Sequence, residues 1–290
     1  MIIYLRALRP HQWVKNVLLF VPLALAHRVT DTGLLLQALA AFAAFSLCAS
    51  SVYIINDILD READRHHLRK RHRPFASGSL TVGAGAVTAS ACLIISAILA
   101  ILFLPKLFLL MLAVYFLLAN SYSLYAKKIA VLDVLFLAGL YALRLLSGAV
   151  ATGDIVSAWL MGFSIFFFLS LALVKRYAEL SDIDAVDKIT AHGRGYAVTD
   201  MPLIHTAGIA SGYISVLVLA LYINGNDVVA LYRHPWMLWL LGPCFIYWVT
   251  RIWLLAGRGQ MHDDPIIFTF RDSASYITGL IVLVIIICAI

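Results

Sequence analysis

Three aspartates and an asparagine stand close together in the stretch NDILDREAD, as Asn56, Asp57, Asp60 and Asp64. If the apolar helix before them continues at about 100° per residue, the four side chains share about a quarter of its circumference. Carboxylates this close repel each other, and ionising all of them in a partly dry place is costly unless a cation lies between them. Magnesium prefers such oxygen ligands and commonly completes its shell with water and phosphate. The spacing therefore predicts a magnesium site that faces a phosphorylated ligand.

An ordinary solvated helix end is the alternative for this stretch. Its acids would then pair with Arg61, Arg65 and Arg69 in the same segment. That alternative explains the charges, but it does not explain why Glu62 is the one acid of the stretch that falls off the shared face.

A second polar group closes a later apolar run, in KRYAELSDIDAVD. Lys175, Glu179 and Asp182 are separated by four and three residues, which places them along one face if the helix persists. The alternative is an ordinary helix end with an i,i+4 ion pair. We expect both acidic stretches to lie on the same side of a membrane and to enclose a pair of metal ions.

Several basic residues of the chain could bind phosphate groups near these acids: Lys15, Arg73, Lys127, Lys128, Arg144 and Arg176. Arg144 is the most informative, because it lies in the middle of the apolar run YALRLLSGAVA. A charge at membrane depth is costly, so we expect Arg144 to face a polar cavity or a polar partner.

The composition shows which elements carry these residues. Hydrophobic residues make up 62% and charged residues 13% of the chain, whereas soluble domains average about 45–50% and about 25%. A spanning helix needs about 20 mostly apolar residues, so the chain has room for about nine. The candidate spans are 17–30, 34–58, 80–104, 107–126, 130–151, 157–178, 202–223, 236–256 and 273–290. We predict an all-α polytopic membrane protein that forms a single transmembrane catalytic domain over residues 1–290. The least regular of the predicted spans is the first, 17–30, which we expect to break at Pro22.

The distribution of Lys and Arg predicts the orientation. With a cytoplasmic amino terminus, nine spans leave only Arg28, Lys106 and Arg233 outside. Short loops rich in Lys and Arg stay in the cytoplasm, so we expect the predicted active site to face the cytoplasm. We expect the membrane to be a bacterial plasma membrane. The first apolar run lacks a small-residue cleavage site, so we expect no cleavable signal.

Other classes of site find little support in the sequence. The cysteines lie singly inside spans, which argues against a disulfide framework or a zinc site; they are Cys48, Cys92, Cys244 and Cys288. VGAG at 82–85 lacks the Lys and Ser/Thr of a phosphate-binding loop. We expect no nucleic-acid partner, and the sequence does not specify an oligomeric state.

The motifs resemble those of the UbiA-type intramembrane prenyltransferase superfamily. The resemblance rests on NDxxDxxxD, YSLYAKK, RLLSGAVA and the second acidic cluster, and it covers nearly the whole chain. It implies a UbiA-like fold of nine transmembrane helices around a central cavity. It also implies two cytoplasmic acidic motifs that bind magnesium and a diphosphate.

Within the superfamily, RPHQWVKN at 9–16 and KRYAEL at 175–180 are most similar to the decaprenyl-phosphate phosphoribosyltransferases. Enzymes of this branch join phosphoribosyl pyrophosphate to a polyprenyl phosphate and release pyrophosphate, and the product supplies arabinose for cell walls in mycobacteria and their relatives. One departure is the second motif, which is usually DxxxD. Here Asp182, Asp184 and Asp187 compete as ligands, and we favour Asp182 with Glu179 because both share a face with Lys175.

The resemblance implies a role for each candidate residue. The predicted Mg²⁺ ligands are Asn56, Asp57, Asp60, Asp64, Glu179 and Asp182. The residues predicted to contact the donor's phosphates are Lys127, Arg144, Lys175 and Arg176. Further predicted substrate-binding residues are Asn56, Arg73, Tyr122 and Glu179. Those predicted to contact the lipid phosphate are Gln12, Lys15 and Asn16. The lipid phosphate then attacks the anomeric carbon with inversion and needs no general base.

Two rival functions remain open from the sequence. A UbiA-type aromatic prenyltransferase would use the same acids to move a prenyl group onto a ring such as 4-hydroxybenzoate. A transporter or flippase could use Arg144 and the polar clusters to line a path, although the inverted repeats typical of transporters are not evident. The stretch HDDP at 262–265 either closes over the site or simply lets Asp263 and Asp264 cap the next helix.

Overall fold

Long apolar α-helices make up most of this computed structural model, which describes residues 2–66, 70–184, 195–225, 228, 231–261 and 264–290. The α-helices are α1 Ile2–Leu8, α2 Val21–Leu25, α3 Thr32–Leu59, α4 Arg61–Arg65, α5 Val82–Phe103, α6 Lys106–Leu124, α7 Leu132–Thr152, α8 Ala158–Asp184, α9 Met201–Ile223, α10 Leu241–Gly257, α11 Pro265–Thr269 and α12 Ser273–Ala289. The 3-10 helices cover Pro10–Phe20, Lys70–His72, Ala126–Lys128, Val198–Asp200 and Pro235–Leu240. Over these ranges no β-strand element is present, so the predicted all-α class is confirmed.

Seven helices within the described ranges are long and apolar enough to cross a membrane. They lie within a few residues of seven predicted spans, while the predicted last span is the shorter apolar helix Ser273–Ala289. The predicted first span, 17–30, is not one long helix. There a 3-10 helix runs into α2, which carries Pro22 in its first turn, and the left-handed backbone of His27 (φ 56°) follows. The polytopic membrane fold is therefore confirmed, but the count of nine spans is not.

The described residues form two compact units, the first of which comprises Met1–Leu124 and Leu143–Val156. Its central helix is α3, whose apolar stretch is mostly buried, and α5 packs along it. Asp31 caps α3 by accepting hydrogen bonds from the N–H groups of Gly33 and Leu34, which lack partners inside the helix. This cap and the packing on α5 fix the helix that carries the first acidic stretch.

The 3-10 helix Pro10–Phe20 belongs to the first unit and packs on α3. It is unusually long, since 3-10 runs beyond about four residues are uncommon. Tertiary contacts hold it: Trp13 donates to Ser50 at 3.0 Å. A Cβ on Gly148 of α7 would lie 2.1 Å from the carbonyl oxygen of Leu19, so only glycine permits this close approach. The RPHQWVKN motif is thus fixed by its neighbours rather than by its own helix propensity.

The second unit comprises Tyr125–Ala142 and Ser157–Ile290. Here α8 packs along α9, and Gly208 leaves room for the Trp253 ring, which a Cβ would meet at 2.0 Å. The helix α8 runs without interruption from Ala158 to Asp184. The helix therefore persists through KRYAEL, which is the condition for Lys175, Glu179 and Asp182 to share one face.

Candidate functional site

The first acidic stretch lies where α3 ends at Leu59 and α4 begins at Arg61, with Asp60 as the residue between them. Backbone bonds from Asp60 N–H to Asn56 O (2.9 Å) and from Asp64 N–H to Asp60 O (2.8 Å) keep the helical spacing across this junction. The helix is therefore interrupted at Asp60, but the i,i+4 spacing assumed in the sequence analysis is kept.

This spacing separates buried acids from exposed ones. The side chains of Asp57 and Asp64 are 1% and 6% exposed, whereas that of Glu62 is 62% exposed. Asn56 and Asp60 are half-buried. The stretch therefore has an inner face with two buried carboxylates and an outer face at Glu62.

Arginine side chains meet both buried carboxylates. Nη1 of Arg73 lies 3.1 Å from Asp57 Oδ1 and 2.7 Å from Asp64 Oδ2. Nη2 of Arg9 lies 2.6 and 2.8 Å from the two oxygens of Asp57. Two carboxylates thus converge on one guanidinium nitrogen, which Coulomb attraction in this enclosed place favours.

The alternative for this stretch expected other partners. Arg61 and Arg65 both pair with the outer acid Glu62, at 3.3 and 3.0 Å. Arg69 lies outside the described residues. The arginines that meet the inner acids come from other segments, so they were not among the local partners that the sequence suggested.

Arg9 was missed by the sequence analysis as a member of this cluster. Its backbone is left-handed, with φ 53° and ψ 57°, although it is not a glycine and precedes Pro10. Such a conformation costs roughly 1–2 kcal/mol and persists where surrounding contacts hold it. The ion pair with Asp57, in which one arginine nitrogen meets both carboxylate oxygens, is one such contact. The position of this arginine inside the RPHQWVKN motif is the signal that could have revealed it.

The inner carboxylates fit a divalent cation. Their oxygens approach one nitrogen of Arg73 from two sides, so this guanidinium takes the place between them that a cation would take. Carboxylate oxygens are the donors that Mg²⁺ prefers. Within the described ranges, no three His, Cys, Asp or Glu side chains lie together as a preformed site. The predicted Mg²⁺ role of this stretch therefore stays a prediction that the donor chemistry supports.

Arg144 is held inside the first unit by neutral groups. Its Nε donates to Asn16 Oδ1 at 2.9 Å and its Nη2 donates to the Tyr115 hydroxyl at 3.0 Å. The guanidinium also lies 4.9 Å from the Tyr115 ring centroid and 5.5 Å from that of Phe45, within the range of cation–π attraction. The prediction that this charge finds polar partners is confirmed.

The residues predicted to contact the lipid phosphate lie on the 3-10 helix Pro10–Phe20. Gln12 is half-buried, and Lys15 and Asn16 are buried. Asn16 also donates to Ser46 at 2.9 Å, so it links α3 to Arg144. Their substrate contacts stay predictions, but the network shows what fixes this segment.

The second acidic stretch is built around Arg176, which is 1% exposed. Its guanidinium bonds to both Asp133 and Glu179, and Asp133 also accepts the hydroxyl of Tyr196 at 2.7 Å. Glu179 thus pairs with the arginine three residues before it. Asp133 and Tyr196 were missed, because they are far from the motif in sequence.

The remaining predicted residues occupy the ends of α6 and α8 and the turn after α6. Tyr122 and Lys127 are half-buried, and Asp182 is exposed. Lys175 Nζ lies 3.2 Å from Asp264 Oδ2. Asp184 ends α8, and Asp187 lies outside the described residues.

Asp264 has two roles. It caps α11 by accepting from the N–H of Ile266 at 3.2 Å, as the simpler expectation for HDDP proposed, and it also pairs with Lys175. The hydroxyl of Tyr141 lies 3.4 Å from its Oδ1. Asp263 lies outside the described residues. The last loop therefore contributes one carboxylate beside a predicted donor-binding lysine.

Comparison with known proteins places this arrangement in a family. The UbiA prenyltransferase family profile matches residues 17–274. A UbiA homolog from Archaeoglobus fulgidus bound to GPP and Mg²⁺ has a similar fold, with a TM-score of 0.72 over 98% of this chain and 99% of that chain at 17% identity. Digeranylgeranylglyceryl phosphate synthase gives a TM-score of 0.68 at 18% identity, over 99% of this chain and 97% of that one.

Relatives with higher identity come from bacteria. Uncharacterized protein y4nM of Sinorhizobium fredii is 40% identical over 96% of this chain and 54% of its own length. Nodulation protein NoeC of Azorhizobium caulinodans is 34% identical over 94% of this chain and 89% of its own length. Decaprenyl-phosphate phosphoribosyltransferase of Corynebacterium glutamicum is 38% identical over 61% of this chain and 54% of its own length. The chain thus spans about half the length of two of these relatives. With the family profile matched over most of its length and the fold shared, the chain belongs to the UbiA prenyltransferase family.

Proposed function

We propose that the protein transfers the 5-phosphoribosyl group from phosphoribosyl pyrophosphate to a polyprenyl phosphate such as decaprenyl phosphate, with Mg²⁺, and releases pyrophosphate. The observation that carries the diphosphate part is the convergence of Asp57 and Asp64 on one cation, Arg73. The choice of donor and acceptor is supported by the 38% identity to decaprenyl-phosphate phosphoribosyltransferases, which extends over 179 residues.

The two inner carboxylates would hold the metal in this proposal. A bound Mg²⁺ neutralises charge on the leaving pyrophosphate and orients it. Arg73, 26% exposed and bonded to both acids, is the group that would give up this place and turn to a phosphate oxygen. Asn56 and Asp60 lie beside these acids in the sequence and complete the proposed set in this stretch.

The second stretch contributes donor-binding groups in the proposal. Lys175 and Lys127 would contact donor phosphates, and Glu179 and Asp182 remain proposed metal ligands. Arg176 is already bound by two carboxylates, so we assign it the task of holding Glu179 in place. Tyr122 and Arg144 remain proposed donor contacts.

Displacement at the anomeric carbon accounts for the reaction. The bond from C1 to the pyrophosphate oxygen breaks and its electron pair leaves with pyrophosphate, which gives C1 oxocarbenium character. A phosphate oxygen of the lipid forms the new bond on the opposite face, so the configuration inverts. The lipid phosphate is already an anion, so no side chain has to remove a proton. Positioning and charge neutralisation then provide most of the rate enhancement.

The acceptor would bind at the RPHQWVKN segment. Lys15, with Gln12 and Asn16, lies on the 3-10 helix that the Arg144 network fixes to α3. A cation at a membrane interface suits a lipid phosphate, and its Coulomb energy grows in an enclosed place. We place this face on the cytoplasmic side of the bacterial plasma membrane, as the distribution of basic loops predicts. The use of the product for arabinose in a cell wall stays a prediction from resemblance.

A comparison of substrates tests the proposal. Purified protein is given Mg²⁺ with phosphoribosyl pyrophosphate and decaprenyl phosphate, or with geranyl diphosphate and 4-hydroxybenzoate, and pyrophosphate release and lipid products are measured. We expect a phosphoribosylated lipid from the first pair and none from the second. Product from the second pair alone would overturn the proposal in favour of an aromatic prenyltransferase, and transport without any product would place the chain among carriers.

A further inference from the structure

The turn that carries Lys127 and Lys128 contacts a segment that lies far away in the sequence, residues 195–196. This turn is the 3-10 helix Ala126–Lys128, and the backbone N–H of Val131 just after it donates to the hydroxyl of Tyr196 at 2.7 Å. Tyr196 in turn donates to Asp133 at 2.7 Å. One hydroxyl therefore ties the turn to a carboxylate at the start of α7.

The hydroxyl of Tyr196 is well suited to this double role. The residue is 5% exposed, and Asp133 is fully buried. Burial, and next the hydrogen bond to Asp133, raise the pKa of Tyr196. The phenol therefore stays protonated at neutral pH and can donate one hydrogen bond while accepting another. Arg176 balances the charge of Asp133 from the other side.

The backbone around this hydrogen bond is strained. Val131 has φ 67°, in the left-handed region that β-branched residues rarely occupy. The residue is 59% exposed, so apolar packing does not compensate for the conformation. Strain of this kind costs about 1–3 kcal/mol and persists where neighbouring contacts fix the backbone. The Tyr196 hydroxyl is the contact that meets the N–H of this residue.

A second contact fixes the same turn. A Cβ on Gly195 would lie 2.6 Å from the carbonyl oxygen of Lys128 and 2.7 Å from the nitrogen of Ala130. Both neighbours are backbone atoms, which cannot move aside as a flexible side chain can. Gly195 and Tyr196 therefore press directly against the turn from adjacent positions, one by close packing and one by a hydrogen bond.

We propose that Tyr196 and Gly195 are positioning residues that hold the Lys127–Lys128 turn in the conformation that binds the diphosphate of the donor. Neither residue touches substrate in this account. The identity of the bound diphosphate rests on the proposed function, whereas the mechanical link between segment 195–196 and the turn does not. Because the lysines of this turn would contact the donor and not the acceptor, loss of this support should weaken donor binding selectively.

Two variants and two matched controls test the proposal. Tyr196→Phe keeps the ring and removes both hydrogen bonds, and Gly195→Ala pushes on the Lys128 carbonyl. Tyr213→Phe removes another hydroxyl of the second unit, which lies 2.9 Å from Thr250 on an exposed face. Gly242→Ala adds a Cβ where no atom lies within 4 Å. The measurements are KM for the donor, KM for the lipid phosphate, kcat and the melting temperature of the full chain in detergent.

We expect Tyr196→Phe and Gly195→Ala to raise the donor KM about tenfold while the acceptor KM changes less than about twofold. The controls should leave both values unchanged. Equal changes in both KM values, or no change in either, would overturn the proposal and leave these residues a purely structural role. If one variant does not fold, the other carries the test.

Failure of this inference can be told apart from failure of the proposed function. If the wild-type protein uses geranyl diphosphate rather than phosphoribosyl pyrophosphate, the proposed function is wrong, but the same KM comparison with geranyl diphosphate still tests the turn. A selective rise in that KM would support the positioning role, and its absence would overturn it.

Discussion

The two acidic stretches use arginine in opposite ways. In the first, Asp57 and Asp64 converge on Arg73, whose side chain is 26% exposed. In the second, Asp133 and Glu179 converge on Arg176, whose side chain is 1% exposed. Both clusters balance two carboxylates, but they differ in how easily the arginine can leave.

This difference in exposure assigns different tasks to the two clusters, although each pairs one arginine with two carboxylates. A half-buried guanidinium between two acids can be exchanged for another cation that reaches it from water. A fully buried guanidinium is not exchanged in this way, because its departure would leave the buried Asp133 without its charged partner. The first cluster is thus suited to bind a metal and a diphosphate, and the second to hold α8, the start of α7 and Tyr196 together.

The largest expected effect breaks the first cluster. Asp57→Asn or Asp64→Asn removes a proposed metal ligand, so product formation should fall about 1,000-fold or more, because charge neutralisation at the leaving group carries most of the rate. The assay is pyrophosphate release at saturating donor. Glu62→Gln is the matched control, since it changes an exposed acid of the same stretch, and it should retain wild-type activity. Normal turnover by both aspartate variants would contradict the assignment.

Disruption of the second cluster should lower the stability of the protein. Arg176→Met leaves Asp133 buried without its charged partner, so the free energy of unfolding should fall by about 3 kcal/mol. Arg65→Met breaks an exposed pair with Glu62 and should change it by less than about 1 kcal/mol. Denaturation in mixed micelles measures both. Equal losses of unfolding free energy in the two variants would show that the buried Arg176 cluster stabilises the protein no more than the surface pair of Arg65 does.

If a metal ion displaces Arg73 from the two carboxylates, substitution of Arg73 should strengthen metal binding and weaken donor binding. Arg73→Gln removes the resident cation between Asp57 and Asp64, so Mn²⁺ should bind the donor-free protein about fivefold more tightly, on the order of 1 kcal/mol. The donor KM should instead rise, because a phosphate contact is lost. Electron paramagnetic resonance of free Mn²⁺ gives the first value, with Arg65→Gln as control. Weaker Mn²⁺ binding would mean that Arg73 does not compete with the metal.

The smallest expected effect concerns the ion pair between Arg251 and Asp272, which lies outside both clusters. Its contribution to stability is a reference for the larger effects expected in the clusters. Burial alone would raise the pKa of Asp272, but hydrogen bonds from Arg251 and Ser275 outweigh it and lower that pKa. A lowered folded-state pKa adds stability above the unfolded value of about 3.9, and this is lost as pH falls through the folded value.

Asp272→Asn should therefore reduce the melting temperature slightly at pH 7, by an amount that corresponds to less than about 1 kcal/mol. The difference from wild type should shrink below about pH 4. Melting curves at the two pH values measure it, and a difference that does not depend on pH would show that ionisation of Asp272 is irrelevant.

The sequence predicted the elements that depend on local pattern. Long apolar runs located seven spans within a few residues, and the cost of a buried charge correctly predicted polar partners for Arg144. The start of the chain was harder, because the 3-10 helix Pro10–Phe20 depends on contacts with α3 and on Gly148 rather than on its own periodicity.

Partners in the candidate site were missed for a related reason. Arg9 lies 48 residues from Asp57, and Asp133 lies 43 residues from Arg176. Helical spacing shows which residues of one helix share a face, but it does not show which distant side chain packs on that face. Left-handed backbones at Arg9 and Val131 also have no signal in the residue type, because neither is a glycine.

The exchange of cations at the first cluster is tested most directly by an experimental structure with Mn²⁺ and pyrophosphate. The account predicts Mn²⁺ at about 2.1 Å from oxygens of Asp57 and Asp64, with the Arg73 guanidinium moved from these acids to a phosphate oxygen. A structure in which Arg73 still bridges both carboxylates while Mn²⁺ and pyrophosphate occupy another place would contradict it.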